Sequence, residues 1–387
     1  MRSLLEMGEA ARAAVEKATK SEDLEVRTRA EEILRRWRVR KEAPEGLLKG
    51  RGWLEDLLVR GEGYEAWRRL EEDGGGVDSA GWVFVMREAF RSLAAGGKAV
   101  SSQDKVKLIE GVKKKGLGVL APEIAKLLKD GDSEVRWCAV HVLGWLGAKE
   151  FGPEIAKLLK DGDSKVRWCA VNVLGWLGAK EFGPEIAKLL KDEDSEVRER
   201  AALALGVLGS RDLAPWIAGF LKDGDSGVRG SAAEALAQLG AKEFAPEIAK
   251  LLKDEDSKVR RDVVGALGKL GAKEFAPLIV ELLKDESVFL RWGAAEALGK
   301  LGAKEVAPEI AKLLKDSDDE VRMHAILILG KLGVKEFSPD IAKLLKDGDS
   351  EVGGAAAEAL GQLGAREFAS EIAKLLKDSD NMVRVRA

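Results

Sequence analysis

Hydrophobic and polar positions recur every 31 residues from Gly118 to the end of the chain, without insertion or deletion. The clearest marker is a Val-Arg pair, found at 135–136, 166–167, 197–198, 228–229, 259–260, 321–322 and 383–384, with Leu290-Arg291 and Val352-Gly353 at the two remaining places. Nine repeats are counted in this way, the first covering residues 118–148. A fixed period of this length predicts stacked modules, each in contact with its neighbours along the chain.

Each repeat predicts two helices. The first, helix A, covers residues 121–129, where Pro122 precedes apolar residues at helical spacing. The second, helix B, covers about 134–146, and Asp132 or Ser133 can cap its first amides. A glycine follows helix B in eight repeats, as a left-handed helix end requires: Gly147, Gly178, Gly209, Gly240, Gly271, Gly302, Gly333 and Gly364.

Small residues near the end of helix B predict close helix packing. They are Gly144, Gly175, Gly206, Ala237, Gly268, Gly299, Gly330 and Gly361. A single hairpin buries too few apolar side chains to offset the entropy of ordering it, so neighbouring hairpins must share a core. The expected fold is all-α, a right-handed α-solenoid, or superhelix, of stacked antiparallel helix hairpins.

The repeat resembles HEAT repeats, in the short bacterial form also called phycobilisome-lyase-type, and the repeats used in artificial HEAT-like scaffolds. The similarity lies in Pro-Glu-Ile-Ala-Lys-Leu-Leu-Lys-Asp, then Asp-Ser-x-Val-Arg, then Ala-x-x-x-Leu-Gly-x-Leu-Gly. It implies that helix B lines a concave inner surface, and that a recurring Asp and Arg bond across adjacent repeats. These residues are Asp132, Arg136, Asp163, Arg167, Asp194, Arg198, Asp225, Arg229, Asp256 and Arg260. Ser287 in the Asp place and Gly353 in the Arg place then predict weaker junctions.

Three regions are expected. Residues 1–41 resemble one diverged hairpin, with helices at 8–20 and from Asp23 to about Trp37. Residues 42–117 form an irregular helical capping region, in which Gly-rich breaks separate helices near 53–59, 64–71, 79–94 and 102–115, although a separate functional domain is an alternative. Residues 118–387 form the regular array, whose last repeat is truncated. The chain is expected to be a fragment, or else to oligomerise through the uncapped apolar edge of that repeat.

Composition bounds the class of protein. The chain is 34% charged and 45% hydrophobic, and it contains no apolar stretch long enough to span a bilayer. Its start lacks the hydrophobic core of a signal peptide, so a cytoplasmic location is expected. The net charge of -3 comes from 64 basic and 67 acidic residues spread through the repeats, which argues against a general nucleic-acid binder.

The residues give no support for catalysis. Cys138 and Cys169 stand at the same place in adjacent repeats, and helices about 8–10 Å apart exceed the roughly 7 Å limit for a disulfide, so both are expected as free thiols. His141 lies one turn from Cys138, but Asn172 replaces it in the next repeat, so no metal site is predicted. Residues 96–99 lack the glycine and hydroxyl of a phosphate loop. We therefore expect a non-enzymatic protein without a cofactor.

The outward face of helix B is the predicted binding site. A helical wheel that turns Val135, Ala139 and Leu143 inward turns positions 134, 137, 138, 141 and 145 outward. These positions differ most between repeats, whereas the exposed helix A face is nearly uniform and is expected to be plain solvated exterior. The predicted contact residues are Trp137, Cys138, His141, Trp145, Trp168, Cys169, Asn172, Trp176, Arg200 and Leu203. Alternatively, Trp137 and Trp168 fill grooves between helices.

These observations favour a protein–protein interaction scaffold or adaptor whose partner is a protein or peptide. The first alternative is a protein similar to bilin lyases or chaperones, which would hold a chromophore or its carrier on the tryptophans. The second is a DNA repair protein of the HEAT fold. That alternative needs a basic channel, and the tryptophan-rich repeats are not basic.

Overall fold

A computed structural model describes residues 9–44, 47–48, 51–60, 62–72, 77–94 and 100–375. All regular elements within these ranges are helices. The chain forms two compact units, an N-terminal unit, Met1–Val173, and a C-terminal unit, Leu174–Ala387. The boundary falls within one helix B, so the repeat array contributes to both units.

Six helices precede the regular array. They are α1 (Glu9–Ala18), α2 (Leu24–Glu42), α3 (Gly52–Val59), α4 (Gly63–Glu72), α5 (Ser79–Ala94) and α6 (Ser102–Lys115). Helices α1 and α2 pair around Val15, Ala30 and Ile33. Asp23 caps α2 by accepting from the amides of Glu25 and Val26, and α2 continues beyond its predicted end at Trp37 to Glu42, just before Pro44. The predicted start at Gly8 and the glycines at 61, 74–76 and 96–97 lie outside the described residues.

Helices α4 and α5 pack closely because Gly63 has no side chain. A Cβ atom there would lie 2.3 Å from the carbonyl oxygen of Glu88. Glu88 is buried and is bound by two arginines, Arg38 at 2.9 Å from α2 and Arg91 from its own helix. This buried carboxylate therefore ties the first hairpin to the irregular region, as a charge removed from water requires.

Each repeat contains a short helix A, flanked by single turns of 3-10 helix, and a longer helix B. The helices A are α7 (Ala121–Lys126), α9 (Gly152–Lys157), α11 (Gly183–Lys188), α13 (Ala214–Gly219), α15 (Ala245–Lys250), α17 (Ala276–Val280), α19 (Ala307–Lys312), α21 (Ser338–Lys343) and α23 (Ala369–Leu375). The helices B are α8 (Ser133–Trp145), α10 (Ser164–Leu177), α12 (Ser195–Leu208), α14 (Ser226–Gln238), α16 (Ser257–Leu270), α18 (Val288–Leu301), α20 (Asp319–Leu332) and α22 (Ser350–Leu363). The predicted all-α solenoid of helix hairpins is confirmed.

Glycines end the helices B and bring them together. All eight predicted glycines after helix B adopt a left-handed conformation, with φ between 63° and 71°. A Cβ at Gly144 would lie 2.6 Å from a methyl carbon of Val173, and one at Gly206 would lie 2.9 Å from the Cα of Ala235. The predicted close approach at these positions is therefore confirmed. At Gly361 no described residue lies within 4 Å of such a Cβ, so the prediction there is not tested.

Within each unit, an arginine joins successive repeats. Arg136 donates from Nε and Nη2 to the two carboxylate oxygens of Asp161, both at 2.7 Å. Its Nη1 also donates to the carbonyl oxygens of Asp130 and Gly131 in its own turn. We call this arrangement the arginine junction. It recurs in the C-terminal unit as Arg198–Asp223, Arg229–Asp254, Arg260–Asp285, Arg291–Asp316 and Arg322–Asp347.

The predicted partner of the junction arginine was wrong. The predicted aspartates accept from amides at the start of their own helices B: Asp132, Asp163, Asp194, Asp225 and Asp256. Asp132 and Asp256 do also bond across to the preceding helix B, but to the serines Ser102 and Ser226 and not to an arginine. The bridging aspartate stands two residues earlier, where the chain leaves helix A in extended conformation and the carboxylate reaches the arginine of the preceding repeat. The sequence alone did not show which of the two aspartates in this short turn pairs with the arginine.

The departure at Ser287 has a different effect from the one predicted, and the one at Gly353 stays a prediction. Ser287 stands at the cap position, and its side chain makes no capping bond, but the junction from Arg260 to Asp285 is retained at 3.1 Å. What is lost at this repeat is a helix cap. The partner position for Gly353 lies beyond residue 375, outside the described residues.

The register of the array extends into α6. Gly116, with φ 65°, stands 31 residues before Gly147, and Ser101 caps α6 as Asp132 caps α8. Lys105 takes the arginine position and donates to Asp130 at 2.7 Å. Helix α6 thus packs against α8 as a further helix B, although the Val-Arg marker is absent from it.

Candidate binding surface

Trp145 is the most exposed aromatic residue of the predicted site in the N-terminal unit. It lies at the end of α8, and 54% of its surface is accessible to solvent. The ammonium of Lys113 lies 5.9 Å from its ring centre. Trp145 therefore combines an open apolar face with a nearby cation, which is the arrangement of a cation–π contact.

Trp137 and His141 form a stacked pair one turn earlier on α8. Their rings are 5.4 Å apart and 9° from parallel, and both side chains are half-buried. Burial, followed by the charge of Lys113, lowers the pKa of His141. The imidazole is therefore neutral at neutral pH and serves as a flat aromatic neighbour of Trp137.

Cys138 and Cys169 are buried, so their prediction as contact residues was wrong. Each thiol is 2% exposed, and Cys169 Sγ lies 3.9 Å from the carbonyl oxygen of Trp137 on the adjacent helix. Burial raises the pKa of each thiol to about 12. A wheel drawn for one helix ignores the helices on either side of it, and these cover position 138. Both cysteines are free thiols, as predicted.

A groove beside Trp145 is lined by basic residues. Lys113, Lys114 and Lys115 surround it, together with Glu110 and Gly116. Lys115 Nζ lies 3.7 Å above the ring of Trp82 and pairs with Glu71 at 3.2 Å. Lys113 makes no ion pair among the described residues, so its charge is available to a ligand beside Trp145. Trp168 and Asn172, farther along the array, are half-buried.

The remaining predicted residues lie in the C-terminal unit. Trp176 is 66% exposed at the end of α10, and Val207, at the same place in the next repeat, is 62% exposed. Arg200 and Leu203 on α12 are half-buried. Arg200 Nε is buried and has no hydrogen-bond partner among the described residues, while Nη2 of the same guanidinium lies 3.9 Å from Glu196. The exposed apolar surface here thus consists mainly of Trp176 and Val207.

The helix A face is less uniform than predicted. Trp216 on α13 and Leu278 on α17 are 58% and 45% exposed, at a position that holds an acidic residue in the other seven repeats. Lys191 Nζ lies 5.4 Å from the ring of Trp216. Phe289, on the first turn of α18, is also exposed and was not predicted. A comparison across the repeats of position 123 on helix A and of the outward position 134 on helix B would have found all three.

Farther along the C-terminal unit, charged residues at other exposed helix B positions pair with one another. Lys269 binds Glu234 of the preceding helix B, and Lys300 binds Glu296 one turn before it. Among the described residues, no group of His, Cys, Asp and Glu has the arrangement of a metal site. No helix in the same ranges has the length and apolar character needed to cross a membrane.

Comparison with known proteins gives one family. A family model described as HEAT repeats matches residues 120–185, 183–257, 244–319 and 307–387. No curated protein matches the chain. Among solved structures, YibA of Escherichia coli is 24% identical, with a TM-score of 0.49 over 62% of this chain and 94% of that one.

Two further structures are similar at lower TM-scores. An engineered protein is 22% identical, with a TM-score of 0.47 over 84% of this chain and 97% of that one. The complex of CpcE and CpcF of phycocyanin lyase from Nostoc sp. PCC7120 is 21% identical, with a TM-score of 0.31 over 75% of this chain and 94% of that one.

Proposed function

This chain belongs to the HEAT-repeat family, and we propose that it is a non-catalytic scaffold or adaptor that binds a protein or peptide through exposed residues of its helices B. The observation that carries the proposal is the exposure of Trp145 and Trp176, more than half of each side chain being open to solvent. Tryptophan is the residue type most enriched among those that dominate binding energy at protein interfaces.

The fold does not require tryptophan at these places. The glycine that ends helix B is unchanged in later repeats, where the same position holds Val207, Gln238, Lys269, Lys300, Lys331 and Gln362. A polar residue there would keep the helix and remove exposed apolar surface from water. The two tryptophans are therefore best explained by contact with another molecule.

The surroundings of Trp145 indicate what that contact accepts. The ring is more than half exposed, and beside it lies the ammonium of Lys113, which makes no ion pair among the described residues. An apolar side chain next to a carboxylate would satisfy both groups, because it covers the ring and neutralises the lysine. We therefore propose that the segment bound at Trp145 carries an acidic residue beside its apolar anchor.

The chemistry of the nearby groups supports a non-catalytic role. The thiols of Cys138 and Cys169 are buried, and burial raises the pKa of each to about 12, which leaves almost no thiolate at neutral pH. His141 stacks on Trp137 and makes no hydrogen bond to a carboxylate or hydroxyl within the described residues. A nucleophile with its activating base is therefore not assembled from these side chains.

The test compares tryptophans on the two kinds of helix. The parent, a Trp145→Ala/Trp176→Ala double variant and a Trp216→Ala control would each be used to capture partners, followed by mass spectrometry. Trp216 is similarly exposed but lies on a helix A, so the control removes equivalent apolar surface elsewhere.

We expect the parent and the control to recover the same proteins and the double variant to lose them. For a recovered protein, the dissociation constant should rise at least tenfold in the double variant, about the effect of removing one buried interface tryptophan. Equal recovery by all three forms would reject the helix B face as the docking surface.

A further inference from the structure

Repeat 6, residues 273–303, departs from its neighbours at the start of helix B. The residues Ser287, Val288 and Phe289 stand where the other repeats before the last have Asp, then Ser or Asp, then a charged residue or glycine. Phe289 is 60% exposed, and the Ser287 side chain makes no capping bond to α18. Both features weaken this helix start, because a cap is lost and an apolar ring is left in water. Local rules of this kind are broken most often at functional sites.

Phe289 lies at the edge of a groove within the C-terminal unit. The groove has a volume of about 520 Å³ and runs along the first turns of three successive helices B, α18, α20 and α22. Its apolar lining is Val288, Phe289 and Met323, and its walls are Asp318, Asp319, Glu320, Asp349 and Glu351. We call this surface the Phe289 groove.

Few of the acidic side chains in the groove walls pair with a cation of the protein. Asp318 and Asp349 cap their own helices by accepting from the amides of Val321 and Glu351. Among the described residues, Asp319, Glu320 and Glu351 make no ion pair. Arg322 gives its guanidinium to Asp347 and to two carbonyl oxygens of its own turn, and its charge also acts on Asp319 and Asp349. Among the described residues, the groove lining itself contains five acidic side chains and no basic one around its apolar side chains.

We propose that the Phe289 groove is a docking site for a basic segment of a partner protein, in which lysine or arginine residues flank an apolar side chain. The apolar side chain covers Phe289 and Met323, while the cations face Asp319, Glu320 and Glu351. Charge complementarity selects this occupant, since a nucleic acid, an anionic membrane surface or an acidic peptide would be repelled. The site is separate from Trp145 and Trp176 and does not depend on what they bind.

The structure also argues against a purely structural role for these acids. Carboxylates in the first turn stabilise a helix through its dipole, and one cap with one further acid provides this in repeats such as the third, with Asp194 and Glu196. Repeat 7 adds Asp319 at a position where six other repeats hold serine. The additional charge lines the same groove as the one exposed phenylalanine that the described helices B present.

Peptide binding measured by fluorescence polarisation tests the proposal. The probe is a labelled decapeptide of eight lysines with two central leucines. Two matched probes replace the leucines by serine or the lysines by glutamate. We expect the lysine–leucine probe to bind, its affinity to fall as salt is added, and both matched probes to bind at least tenfold more weakly.

The protein variants separate the apolar and the charged contributions. Phe289→Ser should weaken the lysine–leucine probe by about tenfold, and Asp319→Ser with Glu320→Gln should weaken it similarly and reduce its salt dependence. Glu196→Gln, at the Phe289 position of repeat 3, is the matched control and should bind as the parent does. Far-UV circular dichroism and melting temperature report whether each variant is folded.

Three outcomes would overturn the proposal: no binding of the lysine–leucine probe, equal binding by folded Phe289→Ser, or equal binding of the lysine–serine probe. The last would reduce the interaction to unspecific charge attraction. The Trp145→Ala/Trp176→Ala variant should bind this probe as the parent does. A failure at the Phe289 groove is therefore distinguishable from a failure of the proposed tryptophan surface.

Discussion

Removal of one arginine junction should weaken the array locally and by a predictable amount. Arg229 is the best position, because it makes all four contacts: Nε and Nη2 donate to Asp254, both at 2.8 Å, and Nη1 donates to the carbonyl oxygens of Asp223 and Gly224. Its side chain is 12% exposed and that of Asp254 is 6% exposed. Solvent therefore screens this pair only slightly.

The expected cost follows from what Arg229→Ala leaves behind. Asp254 would remain buried without its cation, retaining only the amide of Asp256 as a donor. Removing one partner of a buried pair costs about 3 kcal/mol, which corresponds to a change of about a hundredfold in an opening equilibrium. Arg229→Lys should cost less, because it keeps the charge but loses the two-pronged geometry.

Native-state hydrogen exchange is the suitable assay, since a repeat array can open at one junction without unfolding as a whole. Amides of α14 and of the turn around Asp254 should exchange about a hundredfold faster in Arg229→Ala. The matched control is Arg261→Ala, whose side chain is 48% exposed and pairs only with its neighbour Asp262, so it should cost less than about 1 kcal/mol. If both variants exchange alike, the junction does not hold the repeats together.

Three further predictions concern pH, glycine and the thiols. The hydrogen bond from Arg229 holds the pKa of Asp254 below its ordinary value, so this pair contributes stability above about pH 4 that is lost as pH falls through the lower folded pKa. In an acid titration followed by circular dichroism, Arg229→Ala should therefore unfold at a higher pH than the parent. Coincident unfolding curves would contradict this link between the pKa and stability. In urea denaturation, Gly206→Ala should destabilise the protein by about 1–3 kcal/mol, because its Cβ would lie 2.9 Å from the Cα of Ala235. Gly265→Ala, with open space around it inside α16, should instead stabilise the protein by about 0.5–1 kcal/mol. A change of the same sign in both variants would refute the packing explanation. Burial raises the pKa of Cys138 and Cys169 to about 12. Alkylation by iodoacetamide at pH 8, followed by mass spectrometry, should therefore be slow in the folded protein and fast after denaturation. Rapid labelling of the folded form would show that the thiols are accessible.

The repeated features of the fold could be predicted from the sequence because the same local rule applies in each repeat. The glycines after helix B, the small residues at position 144 and the exposure of Trp145 and Trp176 all follow from helix geometry and spacing. Position 116 also obeys the 31-residue spacing, but the Val-Arg marker does not reach α6, so the marker alone placed the start of the array too late for this helix.

The features that were missed depend on neighbouring repeats. The burial of Cys138 follows from the helices on both sides of α8, which a wheel for one helix does not include. Whether the junction arginine pairs with the aspartate equivalent to Asp130 or with the one equivalent to Asp132 depends on where the guanidinium of the preceding repeat lies. The Phe289 groove likewise takes its walls from two later repeats, so its acidic surroundings become visible only when the helices are placed side by side.

The arginine junction also gives the array a direction and a natural increment. The guanidinium is always supplied by the earlier hairpin and the carboxylate by the later one, 25 residues farther along the chain. Deleting or duplicating a whole 31-residue repeat would again place a guanidinium beside an equivalent carboxylate. A deletion that is not a whole number of repeats would leave both groups without their partner. Adding or removing complete repeats therefore changes few of the contacts that hold the fold together. Evolution or design can change the length of the array in this way while the surface residues remain free to vary.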